Sequence, residues 1–501
     1  MNQSKTKRGV GITAFIVFLL ILITFSVGIL VSYTKGPDSY TIDNHGQKIS
    51  DVFVRYQNQL YASVPSSGYY LISESDANSF KLVDNNYSNR QFGVDKNHAY
   101  CGNIVVEDFN PAMAKAIGNN YFTDGKQTCY CASISVRNDD LSIISELGQR
   151  VLHGFGMGDK PQTAIYKYIK LEPGSAPYRA ILKTEVVTNG SLSYYKGRIL
   201  AQSHATDLRQ IPEVYDDGDI RESDSYLADG EHVYYQNTVL PIHDNSDLHT
   251  LVFDAQNQAD YLIDPKQGMV YVNGMPFDRQ SGPYRILSLH GKHIRHVLFL
   301  SEDGIFYFDK ERKKILKIKN NPFSSGDFKE IAPLIFSDGQ QILYIETSQF
   351  WGANRNPGLK SESTHIYKLD EPLIGAWKKI GVVNSGYGSV WKNGSTYYYF
   401  DQLGDSQLIP QTIYRIRDQA AVAALLVPQI GTEEIRKLVH SDHLAKVKRT
   451  ELLEVKTKFS GGFSIMLWII IAVVVSIALR RFKNTKVNGP TLTAGKSLNH
   501  S

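Results

Sequence analysis

Acidic side chains crowd the stretch Asp216-Asp217-Gly218-Asp219, followed by Glu222, Asp224, Asp229 and Glu231. Oxygen ligands at this density suit Ca²⁺ in an exported protein, although their order departs from EF-hand spacing. A carboxylate pair here would also suit glycoside hydrolysis. Asp217, Asp219 and Glu222 are thus weak metal or hydrolase candidates, set against the simpler reading of a solvated acidic loop. His290 and His293 flank Gly291-Lys292, which reads as a hairpin turn. His296 then points to the opposite strand face from His293, so a three-histidine metal site is not expected. His440 and His443 share a helical face with Asp442 between them, which is too few ligands for zinc. No nucleophile elbow, phosphate-binding loop, dinucleotide fingerprint or zincin helix occurs. The expectation is no catalytic residue, no cofactor and no metal.

Two further constellations point elsewhere. Ser348–His365 (SQFWGANRNPGLKSESTH) reads as a long polar insertion between two strands. Its Trp351 and Arg355 are of the types that dominate interface hot spots, so they are the partner-binding candidates. The three cysteines, Cys101, Cys129 and Cys131, lie close together in sequence. Cys129 and Cys131 share a strand face about 7 Å apart and should not pair with each other. Cys101 can reach either one, and Cys101 with Cys129 is taken as the possible disulfide.

The elements that position these residues are set by two apolar runs. Val10–Ser32 carries no charge and is long enough to span a bilayer, and Phe463–Leu479 is uncharged and near the lower limit. No small-residue cleavage site follows the first run, so it reads as an uncleaved anchor. Lys5, Lys7 and Arg8 precede it, and Arg480, Arg481, Lys483 and Lys486 follow the second. Both termini are therefore expected in the cytoplasm of a plasma (inner) membrane protein, with the main domain outside. The tails hold eight basic residues and no acid, leaving 54 − 8 = 46 basic against 50 acidic residues in between. A body of that balance argues against nucleic-acid binding.

Between the runs the chain repeats a turn followed by an aromatic strand. Asp95-Lys96-Asn97 leads to Ala99-Tyr100-Cys101, and Asp124-Gly125 leads to Cys129-Tyr130-Cys131. Asp229, Asp264, Asp303, Asp338 and Asn393 each open a looser copy. The intervals 124 − 95 = 29, 264 − 229 = 35, 303 − 264 = 39 and 338 − 303 = 35 are nearly constant. An Asp before a short turn bonds its own backbone, and the aromatic residues that follow suit a strand. The expected fold is all-β, a propeller-like repeat array with a β-solenoid as alternative. The expected divisions are an N-tail (1–9), a first transmembrane helix (10–32), a tether (33–51) and the β-repeat domain (52–416). A helical stalk (417–460), a second transmembrane helix (463–479) and a C-tail (480–501) follow. The stalk rests on Ile435, Leu438, Val439 and Leu444 at near-helical spacing.

Asp95-Lys96-Asn97-His98-Ala99-Tyr100, the return Gly102-Asn103 and the spacing Asp108…Pro111…Phe122…Asp124 resemble the bacterial DKNYY family. Here Ala99-Tyr100-Cys101 stands where the family repeats Tyr-Tyr. The resemblance implies a bacterial protein with an export signal or anchor and no established enzymatic activity. The resulting expectation is a membrane-anchored, non-enzymatic binding or scaffold protein, held by the lipid bilayer and meeting a protein partner outside the cytoplasm. An immunity role against a periplasm-delivered toxin and a hydrolase using the acidic loop are the alternatives.

Overall fold

The computed structural model describes residues 23–33, 39–65, 67–203, 207–215, 218–251, 253, 259–290, 294–353 and 358–459. The described chain is built mainly of short antiparallel meanders, each running up and down through consecutive strands. It divides into two units, residues 1–213 with 221–250 and residues 214–220 with 251–501.

In the first unit, one meander runs through Gln47–Lys48, Phe53–Tyr56, Gln59–Val64 and Gly68–Leu71. The next runs through Lys81–Leu82, Phe92–Val94, Ala99–Cys101 and Ile104–Val106. A third joins Lys115–Gly118, Tyr121–Thr123, Thr128–Arg137 and Ala164–Lys170, and a fourth joins Arg179–Ala180, Val186–Thr188, Ser193–Tyr195 and Arg198–Ile199. The helix Ile143–Gly154 is inserted before the last strand of the third meander. In the second unit, Arg285–Ile286, Phe299–Ser301, Gly304–Asp309 and Lys314–Ile318 form one meander. Lys329–Ala332, Ile335–Ser337, Ile342–Gly352 and Gly358–Leu369 form the next. Trp377–Val383, Gly388–Asn393, Thr396–Asp401 and Ile413–Ile416 form the one after it.

One polar device builds the turns. Oδ1 of Asp95 accepts the backbone N–H groups of Asn97 and His98, both at 2.7 Å. Asp124, Asn189, Asp229, Asp264 and Asp338 do the same to the residues two and three further on, at 2.6–3.3 Å. Gly125, Gly190, Gly230 and Gly339 follow the capping residue with φ between +86° and +94°. That angle at the first position of a two-residue loop requires glycine in a II′-type hairpin. Asn189 is thus a member of the series, between Asp124 and Asp229. Asp303 is not built this way: its own N–H goes to Ser301 Oγ and its carboxylate to Ser281.

Inner strands such as Phe92–Val94, Ala99–Cys101, Val186–Thr188 and Gly304–Asp309 are buried at every position. Side chains alternate between faces, so these sheets are covered on both sides, while outer strands such as Arg198–Ile199 are exposed. Phe53, Phe80, Phe92, Tyr100, Phe122 and Tyr166, drawn from the first three meanders, share one core. The strand pairs of the meanders are antiparallel, which argues against the β-solenoid alternative, since solenoid coils stack in parallel.

The helical stalk is also corrected. Helices occupy Gln419–Leu425 and Thr432–His440, and Asp442 then takes φ +61°. Leu444–Lys446 adds a strand to the last meander, beside Ile413–Ile416. Arg449–Lys458 pairs with Gly358–Leu369 along nearly its whole length. Val455 and Thr457 are buried while Glu454, Lys456 and Lys458 are exposed, a period of two that the preceding helical spacing obscured. The second expected span, 463–479, and most of the first lie outside the described residues. Residues 23–33 are helical. No described helix is long and apolar enough to cross a membrane.

The disulfide joins Cys101 to Cys131, not to Cys129. Cys101 Sγ lies 3.9 Å from the carbonyl oxygens of Tyr166 and Lys167. Cys131 pairs with neighbouring Tyr168, whereas Cys129 pairs with Lys170, two residues further along the strand. Cys129 remains a free, buried thiol, and burial pushes its pKa well up.

Two outcomes are expected. Non-reducing peptide mapping should recover Cys101 linked to Cys131, and Cys101→Ala should cost about 3–4 kcal/mol in urea unfolding, the value for a loop of this length. Asp95→Ala removes the acceptor for two turn N–H groups, for Asp76 N–H and for the buried Tyr100 hydroxyl. It should cost about 3 kcal/mol, more than Tyr100→Phe in the same assay. Burial opposes ionisation of Asp95, but the bonds from Tyr100 and the three N–H groups outweigh it and hold its pKa below the usual value. Its contribution is therefore present above the unfolded carboxylate pKa and is lost as pH falls through the folded one, so Asp95→Ala should flatten acid destabilisation below pH of about 4.

Candidate functional site

A polar concavity lies in the second unit. It has a volume of about 260 Å³ and is lined by Glu346, His365, Tyr367, Asp401, Thr412 and Arg449, among others. Several parts of the chain meet there, among them the hairpin Ile342–Gly352 with Gly358–Leu369, the end of Thr396–Asp401 with the segment to Thr412, and the first residue of Arg449–Lys458. Arg449 arrives because the last strand returns to pair with Gly358–Leu369, setting Arg449 opposite Leu369.

Arg449 donates to Glu346 Oε2 at 2.6 Å, and Thr412 N–H donates to Glu346 Oε1 at 2.6 Å. The guanidinium also lies 4.0 Å from the centre of the Tyr367 ring. Burial raises the Glu346 pKa against the pull of Arg449 and Thr412. Asp401 is more deeply set. Its Oδ1 accepts the Tyr399 hydroxyl and Gln407 Nε2, and Oδ2 accepts Gly404 N–H at 2.6 Å. Burial pushes its pKa up to about 7 despite these bonds. Asp401 can thus gain or lose a proton near neutrality, while Glu346 is tied to a permanent cation. Both carboxylates have their oxygens engaged by protein donors, which describes a brace across the sheets and not a nucleophile with its base.

The residues singled out in the sequence do not converge. Asp217 lies outside the described residues. Asp219 is in a turn, where its carbonyl accepts Tyr215 N–H, and Glu222 is ion-paired with Lys183 at 3.2 Å. His296 is buried between Thr364 and Thr457, with ring nitrogens 2.8 and 3.0 Å from their hydroxyls. Burial, with Lys310 nearby, pulls its pKa down to about 4, so it is a neutral structural imidazole. His293 lies outside the described residues, and His443 pairs with Asp418 at 2.6 Å. Among the described residues no group of three or more His, Cys, Asp or Glu is placed to hold a metal ion.

The expected polar insertion is largely ordered hairpin. Ile342–Gly352 and Gly358–Leu369 pair from Leu343↔Lys368 to Gly352↔Gly358, with one register shift between Phe350 and Trp351. Its neighbour Ile335–Ser337 pairs only with residues 342–344, and Arg449–Lys458 reaches only Ser361. Phe350 pairs with Ser361, the outermost residue opposite Lys458, and Trp351 lies one pair beyond both flanking strands; they are 65% and 58% exposed. Arg355 lies outside the described residues. Sequence reasoning missed Glu346, Asp401 and Arg449, which are far apart in the chain and share no motif.

With Asp401 raised, its stabilising contribution is complete below the unfolded carboxylate pKa and is lost as pH rises through about 7. Unfolding of the wild type should therefore become easier between pH of about 4 and 8 in this region. Asp401→Asn should remove that slope, as read by urea midpoints across pH.

The model of the DKNYY family matches residues 53–238. The match begins in the first meander and takes in the capped turns at Asp95, Asp124, Asn189 and Asp229. No curated protein matches the chain.

Proposed function

We propose that this chain, whose residues 53–238 belong to the DKNYY family, is a non-enzymatic, membrane-anchored binding protein whose β body meets a protein partner outside the bacterial cytoplasm. The observation that carries this reading is the overlong hairpin with Phe350 and Trp351 exposed on its outer end. Large aromatics on a rigid two-stranded arm supply contact area at low entropic cost, and they are typical interface anchors. The polar cavity nearby supports the same reading, because its carboxylates are already occupied by protein donors.

The two uncharged runs, 10–32 and 463–479, are the anchors in this reading, with basic flanks keeping both ends inside. Within each unit we read the meanders as a propeller-like array, each unable to cover its own apolar faces without its neighbours. Affinity capture from native membranes, comparing the full chain with Trp351→Ala and Phe350→Ala, tests the role of the hairpin. A specific partner should be recovered with the wild type, and each substitution should weaken its binding about 30-fold, the scale of a 2 kcal/mol hot spot. Equal recovery with all three chains would reject the hairpin as the binding surface.

A further inference from the structure

The helix Ile143–Gly154 has an amphipathic sequence, yet none of its residues is buried. Ser142 caps its start by accepting Ser145 N–H. Glu146 and Arg150 form one polar stripe, joined by bonds of 3.0 and 2.8 Å. Ile143, Ile144, Leu147 and Leu152 lie elsewhere around it and are exposed, Ile144 to 85%. Phe155 and Met157, just beyond the helix, extend the same apolar character. A helix patterned in this way ordinarily buries its apolar stripe.

A helical neighbour indicates what covers it. The helix packs against helical residues 23–33, the end of the uncharged run. A Cβ on Gly154 would collide with the Gly28 carbonyl oxygen, and one on Gly28 would come within 2.8 Å of the Phe155 ring. Arg150 lies 4.7 Å from the centre of the Tyr33 ring. Small residues permit this backbone approach, as they do between helices in lipid. Ile23, Phe25, Val27, Leu30 and Val31 are exposed on that neighbour as well.

We propose that the Ile143–Gly154 helix is an interfacial foot, whose apolar face sinks into the outer leaflet beside the first membrane anchor. This rests on the anchored reading above. Gly28 lies four residues inside Ser32, the end of the apolar run, or about 6 Å at the helical rise. That matches the depth of about 5–10 Å at which amphipathic helices lie in a bilayer. Tyr33, at the edge of the run, is an exposed aromatic of the kind that marks the headgroup level, and Arg150 beside it can keep its charge among headgroups.

The test places a fluorophore on the full chain. Cys101 and Cys131 are bridged and Cys129 is buried, so the thiol of Ile144→Cys is the one a maleimide reaches. Ile144 is exposed, so its replacement leaves the core untouched. Lys126→Cys, on an exposed hairpin turn, is the comparison. Each labelled chain is reconstituted into phosphatidylcholine–phosphatidylglycerol vesicles containing lipids brominated on their acyl chains. The label at 144 should be quenched severalfold more strongly than the label at 126. Equal, weak quenching of a chain that survives carbonate washing would overturn the foot and leave the anchor intact. Release by carbonate would overturn the anchor and the foot together. Self-quenching at 144 that grows with protein density, without quenching by brominated lipid, would assign the face to a second copy and overturn the lipid reading.

Discussion

A side-chain oxygen that accepts two turn N–H groups is the interaction on which the β body depends. Most strands here are only two to six residues long, too short to define a register by ladder bonds alone. The capping Asp or Asn closes the hairpin at one position, and a slip of one residue would turn every side chain to the wrong face. Asp95 and Asp229 carry the device further, since their second oxygen accepts the hydroxyl of Tyr100 or Tyr234 five residues on. That bond satisfies a buried tyrosine and fixes the strand that follows. At Asp124 the equivalent place belongs to Cys129, which fills the core without a hydrogen bond to the cap.

Capped hairpins alone do not make a stable body. Strands buried on both faces oblige each meander to lie against others, and the shared aromatic core is where that requirement is met. The Cys101–Cys131 bridge ties the second meander to the third covalently. At the other end of the chain the last two strands return, one to each of the final two meanders, and the ion pair of Glu346 with Arg449 braces the return. A half-buried pair of this kind contributes little net stability, but removing one partner leaves the other charge unpaired, so it favours one arrangement of the C-terminal strands.

The same contrast of engaged and unengaged groups organises the functional reading. Buried polar side chains in the cavity meet donors of the protein itself, while large apolar side chains stand open elsewhere, two such places being the hairpin end near Trp351 and the helix near Ile144. Open apolar surface on a folded body marks contact with something else. The two places differ in kind: the hairpin offers a few aromatics on a rigid arm, and the helix offers an aliphatic stripe alongside an uncharged segment.

Much of the fold was legible in the chain itself. Asp or Asn before glycine and an aromatic strand is a local code, because the cap and the N–H groups it binds lie within three residues. For that reason the β class, the turns and the family resemblance could be read directly. What depended on distant pairing was not legible. The choice of Cys131 over Cys129 follows from which part of Ala164–Lys170 lies opposite Cys101, and no local signal carries that offset. The strand Arg449–Lys458 looked helical until Gly358–Leu369 supplied an edge for it, since a short amphipathic stretch takes the structure its neighbour can pair or cover. Glu346, Asp401 and Arg449 become one site only through that pairing: local chemistry determined the repeating unit, and tertiary contact alone decided which units, cysteines and charges would meet.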